Sequence, residues 1–176
     1  MRTDVTARKT GEGRQAWTRE PLTTANLTEH VSGGVARGVS QIHAGESTTR
    51  VAVLDFDSHG GETPWAEMAA KAAEVADVAE LMHGLRATAW RSSGGRGVHL
   101  YFLWDAPQDA YSVRELLREV LGVCGLGVGT GGVSKGFVEV FPKQSEVASD
   151  GFGNQVVLPL AGASVPLVLD DGGDLT

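Results

Sequence analysis

The chain has 176 residues and a formal net charge of −7; 41% of its residues are hydrophobic and 21% are charged. These values are typical of one globular domain with a hydrophobic core, and the negative charge argues against a protein that coats DNA non-specifically. The single cysteine, Cys124, excludes an intrachain disulfide and a zinc ribbon, and no apolar segment approaches the length of a membrane span or a signal peptide. We therefore expect a cytoplasmic protein with no membrane partner.

The sequence predicts three regions. Residues 1–20 are polar and are expected to be a flexible N-terminus, residues 21–165 form the predicted domain, and residues 166–176 form an acidic, disordered tail. Apolar periodicity predicts an α/β (α+β) fold in which two substantial helices pack on a sheet, with a polar site at strand ends. The predicted strands cover 35–43, 50–56, 87–91, 98–104, 137–141 and 155–158. The predicted helices cover 22–31 (N-cap Thr23 or Thr24), 63–84 (N-cap Thr63) and 109–121 (N-cap Asp109).

Two aspartates lie at the end of the apolar, β-branched segment that predicts the second strand. Because side chains alternate along a strand, Asp55 and Asp57 are expected to point to the same side, about 7 Å apart. Like charges in that position need compensation, and carboxylate oxygens are the ligands that Mg²⁺ and Mn²⁺ prefer. The alternative is a strand end with two solvated acids.

A glycine-rich loop precedes the strand at 98–104. Glycines allow backbone N–H groups to turn towards an anion, and the loop adds a hydroxyl, a guanidinium and an imidazole, a combination that suits a triphosphate. The alternative is an ordinary glycine turn followed by a core histidine. The residues that carry the prediction are Ser93, Gly94, Gly95, Arg96, Gly97 and His99.

A third acid, Glu139, lies among large apolar residues in the strand at 137–141. A carboxylate in that setting needs a cation or hydrogen bonds, so Glu139 is the natural third metal ligand. Pro142 ends the strand, and Lys143 then projects where a phosphate or a nucleic-acid strand could lie. The alternative is a glutamate on an edge strand that faces water.

Two further motifs fail their structural context. The segment 127–132 satisfies G-x-G-x-x-G, but it follows a predicted helix instead of a strand, so we predict a flexible loop and no dinucleotide site. The segment that begins at Asp55 resembles the start of an EF-hand, yet its twelfth position is Ala66 where a glutamate is required.

Taken in order, the three constellations resemble the archaeo-eukaryotic primase superfamily, the primase-polymerases. Asp55 and Asp57 are similar to its D-x-D, residues 93–99 to the S-G-G-K-G-x-H of ligase-associated polymerase domains in bacterial end joining, and Glu139 to its third acid. The sequences V-E-V-F-P-K-Q at 138–144 and G-N-Q-V-V-L-P-L at 153–160 resemble the phage and mobile-element branch.

The resemblance implies an RRM-like primase-polymerase catalytic core with an N-terminal α/β module. It implies template-directed nucleotidyl transfer with two divalent ions, Mg²⁺ or Mn²⁺, held by Asp55, Asp57 and Glu139. The implied partners are a single-stranded DNA template and primer, NTP or dNTP, and a helicase, fused or separate. No zinc knuckle is present, and neither a helicase nor a primer-organising segment follows residue 162, which predicts an excised catalytic domain. The predicted nucleotide-binding residues are Ser93, Gly94, Gly95, Arg96, Gly97, His99 and Lys143.

Two other function classes fit less well. A replication-initiator nuclease needs an H-x-H metal motif and a nucleophilic tyrosine, whereas this chain has no H-x-H and only Tyr101 and Tyr111. A non-catalytic nucleic-acid-binding module would gain nothing from three acids beside the phosphates.

Overall fold

The computed structural model describes residues 4–9, 15–18 and 20–168. These residues form a mixed α/β structure with two sheets and three α-helices. No helix in these residues is long and apolar enough to cross a bilayer. In chain order the elements are β1 (Thr6–Lys9), β2 (Gln15–Thr18), α1 (Thr24–Val31), β3 (Arg37–Ser40), β4 (Thr48–Phe56), α2 (Trp65–His83), β5 (Ala87–Arg91), β6 (Val98–Asp109), α3 (Ala110–Val123), β7 (Gly127–Val128), β8 (Phe137–Phe141), β9 (Gln155–Val157) and β10 (Pro166–Leu167), with 3-10 turns at His59–Gly61 and Val133–Lys135.

The larger sheet has the strand order β10-β5-β6-β4-β8-β7. Its centre is the segment β4-α2-β5-β6-α3-β8 with spatial order β5-β6-β4-β8, which is the split β-α-β arrangement of RRM-like domains. Every pair is antiparallel except β7 with β8, which are parallel. The predicted RRM-like core is therefore confirmed.

Both long helices cover one face of this sheet. Leu54 of β4 and Leu100 and Phe102 of β6 are fully buried in one cluster with Met68 of α2 and Leu117 of α3. Burial of such side chains is the main source of stability in a domain of this size. Because side chains alternate along each strand, the intervening residues of β4, β6 and β8 point to the opposite face, where the polar residues lie.

A smaller sheet, of order β2-β1-β3-β9, meets that opposite face. Val156 of β9 joins a second buried cluster with Val51, Val53 and Phe141 of the larger sheet, and Tyr101 packs against it. This small cluster joins the two sheets, and a cleft lies beside it, at the ends of β4 and β8.

The ends of the predicted domain differ from the structure. Residues 4–9 and 15–18 contain the β1–β2 hairpin where a flexible N-terminus is expected, because β1 also pairs with β3 through Ala7 and Gly38. Pro166–Leu167, expected in the tail, pairs with β5. The acidic residues of the predicted tail lie outside the described residues.

Two of the predicted helix starts are confirmed and one is wrong. Thr23 and Asp109 cap α1 and α3, and the Asp109 carboxylate accepts from the Ser112 N–H at 2.8 Å. Pro64, not Thr63, occupies the N-cap of α2. The Thr63 N–H instead donates to the Ser58 hydroxyl at 2.9 Å, which folds the chain back after β4.

The glycine-rich segment at 127–132 is packed, in contrast to the flexible loop that the sequence predicts. A Cβ added at Gly127, Gly129 or Gly131 would lie 2.8–3.2 Å from the ring of Phe137, so these glycines leave room for that ring. The residue that follows the segment contacts the end of β4, since the Val133 N–H donates to the Asp57 carbonyl at 3.1 Å. The G-x-G-x-x-G pattern thus has a packing cause.

Candidate active site

A row of polar side chains runs across the larger sheet at the end of β4. Asp55 is the register partner of His99 on β6 and of Glu139 on β8. Directly opposed residues in an antiparallel pair have Cβ atoms about 4.5–5.5 Å apart on the same face. Asp57 follows Asp55 by two residues, so the three acids lie together on the face that the long helices leave open.

These side chains line one cavity of about 590 Å³, between the two sheets. A volume of this size is ordinary for a small-molecule site. Of the residues predicted as nucleotide-binding, Gly95 and Gly97 do not line the cavity, and they act instead in shaping the loop. The predicted residues that line it are Asp55, Asp57, Ser93, Gly94, Arg96, His99, Glu139 and Lys143.

Two of the acids contact histidines. His99 Nε2 lies 3.2 Å from Asp55 Oδ1, and His59 Nδ1 lies 3.1 Å from Asp57 Oδ2. The other ring nitrogen of His59 lies 2.7 Å from the Thr130 carbonyl, so the imidazole links Asp57 to the glycine-rich segment. No ligand spacing in the sequence indicates a role for His59, although it lies two residues after Asp57; its second partner, Thr130, is 71 residues away.

The third acid is paired with a lysine. Glu139 forms an ion pair with Lys143, and the Lys143 ammonium lies 4.8 Å from the centre of the Phe141 ring. The side chain of Glu139 is 18% exposed and that of Lys143 is 36% exposed, so the pair is less screened by solvent than a surface ion pair. Lys143 also lines the cavity.

The donor set fits a hard divalent cation, since it consists of carboxylate oxygens on one face of a sheet. Within residues 4–9, 15–18 and 20–168, no group of three or more metal-ligating side chains is already arranged as a metal centre. Each of the three carboxylates instead contacts a basic partner, which is His99, His59 or Lys143. Cation binding would have to bring the three carboxylates towards a common centre.

The glycine loop is held rigidly against the end of β4. Its turn is closed by hydrogen bonds from the Ser92 N–H to the Gly97 carbonyl at 2.8 Å and from the Gly97 N–H to the Ser92 hydroxyl at 3.0 Å. A Cβ at Gly97 would lie only 2.4 Å from the Phe56 carbonyl oxygen. Among the described residues the N–H groups of Gly94 and Arg96 make no backbone hydrogen bond, which leaves them for an anion.

Tyr101 lies next to this row of polar side chains, two residues after His99 on β6. Burial, and secondly the charge of Asp55, raises the pKa of its hydroxyl well above the usual range. The neutral hydroxyl donates to the Val157 carbonyl at 3.2 Å and so joins β6 to β9 of the smaller sheet. The phenol therefore holds the two walls of the cavity together.

Several lining residues have no role in the sequence-based prediction. They come from four separate parts of the chain, which the fold brings together. Residues 153–157 belong to the G-N-x-x-x-L-P-L segment, which is a signal for the family but not for a role. These residues are Trp17, Ser92, Phe141, Gly153, Asn154, Gln155, Val156 and Val157.

A family model matches most of this chain. The model that matches describes the archaeo-eukaryotic primase domain of TOTE conflict systems, and it covers residues 3–166. The chain belongs to this archaeo-eukaryotic primase family. Members of the superfamily are primase or polymerase nucleotidyltransferases, so the predicted resemblance is confirmed at that level.

The fold of this archaeo-eukaryotic primase domain is also found among solved structures. The polymerase domain of ligase D from Mycobacterium tuberculosis, in complex with DNA, superposes with a TM-score of 0.56 at 18% sequence identity. The match covers 89% of this chain and 68% of that chain. A comparison with curated proteins finds no match.

Proposed function

We propose that the chain is a template-directed nucleotidyltransferase, a DNA primase or polymerase that adds nucleotides from NTP or dNTP. The observation that carries the proposal is the convergence of Asp55, Asp57 and Glu139 beside the glycine loop in one cavity. Family membership supports the reaction class. Asp55, Asp57 and Glu139 would hold two Mg²⁺ or Mn²⁺ ions.

The chain's own residues would position the reactants. Ser93, the amides of Gly94 and Arg96, and the Arg96 guanidinium would bind the triphosphate, with Lys143 at its other side. The primer 3′-oxygen would attack the α-phosphorus as the bond to pyrophosphate breaks, and its proton would leave to solvent. When bound, the ions would lower the pKa of the 3′-hydroxyl and stabilise charge on the pyrophosphate.

The position of His99 gives it a supporting role in this scheme. Its contact with Asp55 would keep that carboxylate facing the cavity, and the rigid loop would fix the phosphates relative to the same strand. Preorganisation of this kind contributes to catalysis because misplacement of the reacting groups by about 1 Å can cost roughly a hundredfold in rate.

The proposed partners are a single-stranded DNA template, a primer and a helicase. From the sequence we propose a role in the replication of a phage or another mobile element. The matching family model describes the primase domain of TOTE conflict systems. The acids of the site would not repel DNA once two divalent ions neutralise them.

The test is extension of a labelled primer on single-stranded DNA with each nucleotide and Mg²⁺ or Mn²⁺. We expect metal-dependent extension, abolished in Asp55→Ala and Asp57→Ala. The matched control is Asp77→Ala, an exposed aspartate on α2, which should extend like the wild type. An unchanged rate in folded Asp55→Ala and Asp57→Ala would refute the assignment. Strand cleavage would instead favour a nuclease, and retention without extension would favour a binding module.

A further inference from the structure

The segment between β9 and β10 runs from the smaller sheet to the glycine loop. This connecting segment, residues 158–164, contains the L-P-L sequence, which the proposed function leaves without a role. Its first residue continues the pairing of β9 with β3, since the Leu158 N–H donates to the Arg37 carbonyl at 2.9 Å. Beyond its end, the Arg91 N–H donates to the Val165 carbonyl at 2.9 Å and continues the pairing of β10 with β5. The connecting segment is therefore fixed at both ends.

A buried histidine holds the connecting segment near its start. His30 Nδ1 accepts from the Arg37 N–H at 2.9 Å, so the proton lies on His30 Nε2, which donates to the Pro159 carbonyl at 2.8 Å. His30 is only 2% exposed, and water therefore competes little for these bonds. The next residue, Leu160, has a φ of +73°, a conformation that a leucine keeps only where its surroundings enforce it. The backbone is thus held on one path towards the glycine loop.

The connecting segment meets the glycine loop at Ser93. The Ala163 N–H donates to the Ser93 carbonyl at 3.1 Å, from a turn that the Ser164 N–H closes by donating to the Ala161 carbonyl at 3.0 Å. Gly162 occupies this turn with a φ of +57°, and a Cβ there would lie 2.6 Å from the Ser93 carbonyl oxygen. The connecting segment therefore both binds this carbonyl and encloses it closely.

The Ser93 carbonyl shares its peptide plane with the Gly94 N–H. In a planar trans peptide these two groups point in opposite directions, so a bond that fixes the carbonyl also fixes the direction of the N–H. Gly94 is exposed and lines the cavity, and its N–H makes no hydrogen bond within the described part of the chain. The bond from Ala163 thus directs an available donor away from the connecting segment.

The same contact explains why Gly95 is a glycine although it does not line the cavity. Its φ is +78°, and its N–H donates to the Ser92 carbonyl at 2.9 Å. A Cβ at Gly95 would lie 3.2 Å from the Ala163 Cβ, so a larger residue would press the connecting segment away from the loop.

We propose that Gly162 and Ala163 are positioning residues of the phosphate site, because their contacts with the Ser93 carbonyl hold the Gly94 N–H in place to donate to a phosphate oxygen. This inference rests on the proposed function. It gives the connecting segment a role that it could not have by touching the substrate, since none of its residues lines the cavity. An amide that is fixed before the anion arrives loses little freedom on binding, which favours affinity.

The test is equilibrium binding of inorganic tripolyphosphate in the presence of Mg²⁺, measured by calorimetry. Gly162→Ala should displace the Ser93 carbonyl, and Ala163→Pro removes the N–H that holds it. Each change should weaken tripolyphosphate binding about tenfold or more, the effect of one lost hydrogen bond to a charged group. The affinity for Mn²⁺ without tripolyphosphate should keep its wild-type value, since neither change alters the three acids.

The matched control is Gly84→Ala, at the C-terminal end of α2. Gly84 has a φ of +65°, so alanine introduces a similar backbone strain there, but the added Cβ has no atom within 4 Å. The control should bind tripolyphosphate like the wild type. A loss in Gly84→Ala equal to that in Gly162→Ala would assign the effect to lowered stability and overturn the inference. Wild-type affinity in folded Gly162→Ala and Ala163→Pro would overturn it as well.

A measurement on the wild type tests the inference even if neither variant folds. In nuclear magnetic resonance spectra, the Gly94 amide proton should move downfield when tripolyphosphate is added, because the amide then donates to an anion. A Gly94 amide signal that stays unchanged at saturation would overturn the inference.

Binding and extension separate this inference from the proposed function. Weaker tripolyphosphate binding in both variants of a protein that never extends a primer would support the positioning role and refute the polymerase. Primer extension by a wild type whose two variants bind tripolyphosphate normally would refute the positioning role and support the polymerase.

Discussion

Substitution Gly97→Ala tests whether the glycine loop must lie against the strand that carries Asp55 and Asp57. The new Cβ would lie 2.4 Å from the Phe56 carbonyl oxygen, whereas ordinary van der Waals contact begins near 3.4 Å. Loop and strand would therefore have to separate by about 1 Å, which typically costs about 1–3 kcal/mol of stability. A shift of this size in the catalytic geometry should lower kcat/KM for incorporation by about a hundredfold.

The assay is single-nucleotide extension, with stability measured by urea unfolding of the same preparations. The matched control is Gly122→Ala in α3, where an added Cβ has no atom within 4 Å. Alanine is the better helix former, so the control should gain up to about 1 kcal/mol and keep its activity. The reasoning is refuted if folded Gly97→Ala extends primers as well as the control does.

Three other predictions follow from the contacts described above. Gly129→Ala places a Cβ 2.8 Å from the Phe137 ring and should lower the free energy of unfolding, measured in urea, by about 1–3 kcal/mol. Adding Phe137→Ala to the same chain should remove part of that loss, and strict additivity of the two changes would contradict the packing role of the glycines. Lys143→Met removes the partner of Glu139 and a proposed phosphate contact, so the KM for nucleotide should rise about tenfold or more, and an unchanged KM would exclude Lys143 from the site. Hydrogen bonds from the Ser112 N–H and hydroxyl lower the pKa of Asp109, so its stabilising effect as a helix cap should be complete at neutral pH and be lost as the pH falls below the ordinary value of 3.8. The Tm difference between wild type and Asp109→Ala should therefore shrink in acid, and a difference that grows in acid would contradict this linkage.

The central part of the site could be predicted because polar residues interrupt apolar strands. Asp55, His99 and Glu139 each lie in a segment that is otherwise buried, and a charged group there requires a partner or a ligand. What the sequence could not supply is the register. Only the pairing of β4 with β6 and β8 puts the three side chains in one row, and a shift of one residue would send Glu139 to the helix face.

The cavity residues that the smaller sheet contributes could not be predicted for the same reason. The strand β1 has only four residues and little apolar alternation, so its sequence carries no strand signal, and its stability comes from pairing with β3. Three such pairings place Trp17 and Gln155, 138 positions apart in the sequence, in the same four-stranded sheet. The glycines at 127–132 led to the wrong prediction of a flexible loop, because their packing against the Phe137 ring cannot be read from the sequence.

Counting bound Mn²⁺ by electron paramagnetic resonance in the presence of nucleotide tests most directly whether the three acids act together. The account predicts two ions per wild-type chain and fewer in each of Asp55→Asn, Asp57→Asn and Glu139→Gln, with Asp77→Asn unchanged. Two ions retained in folded Glu139→Gln would contradict it.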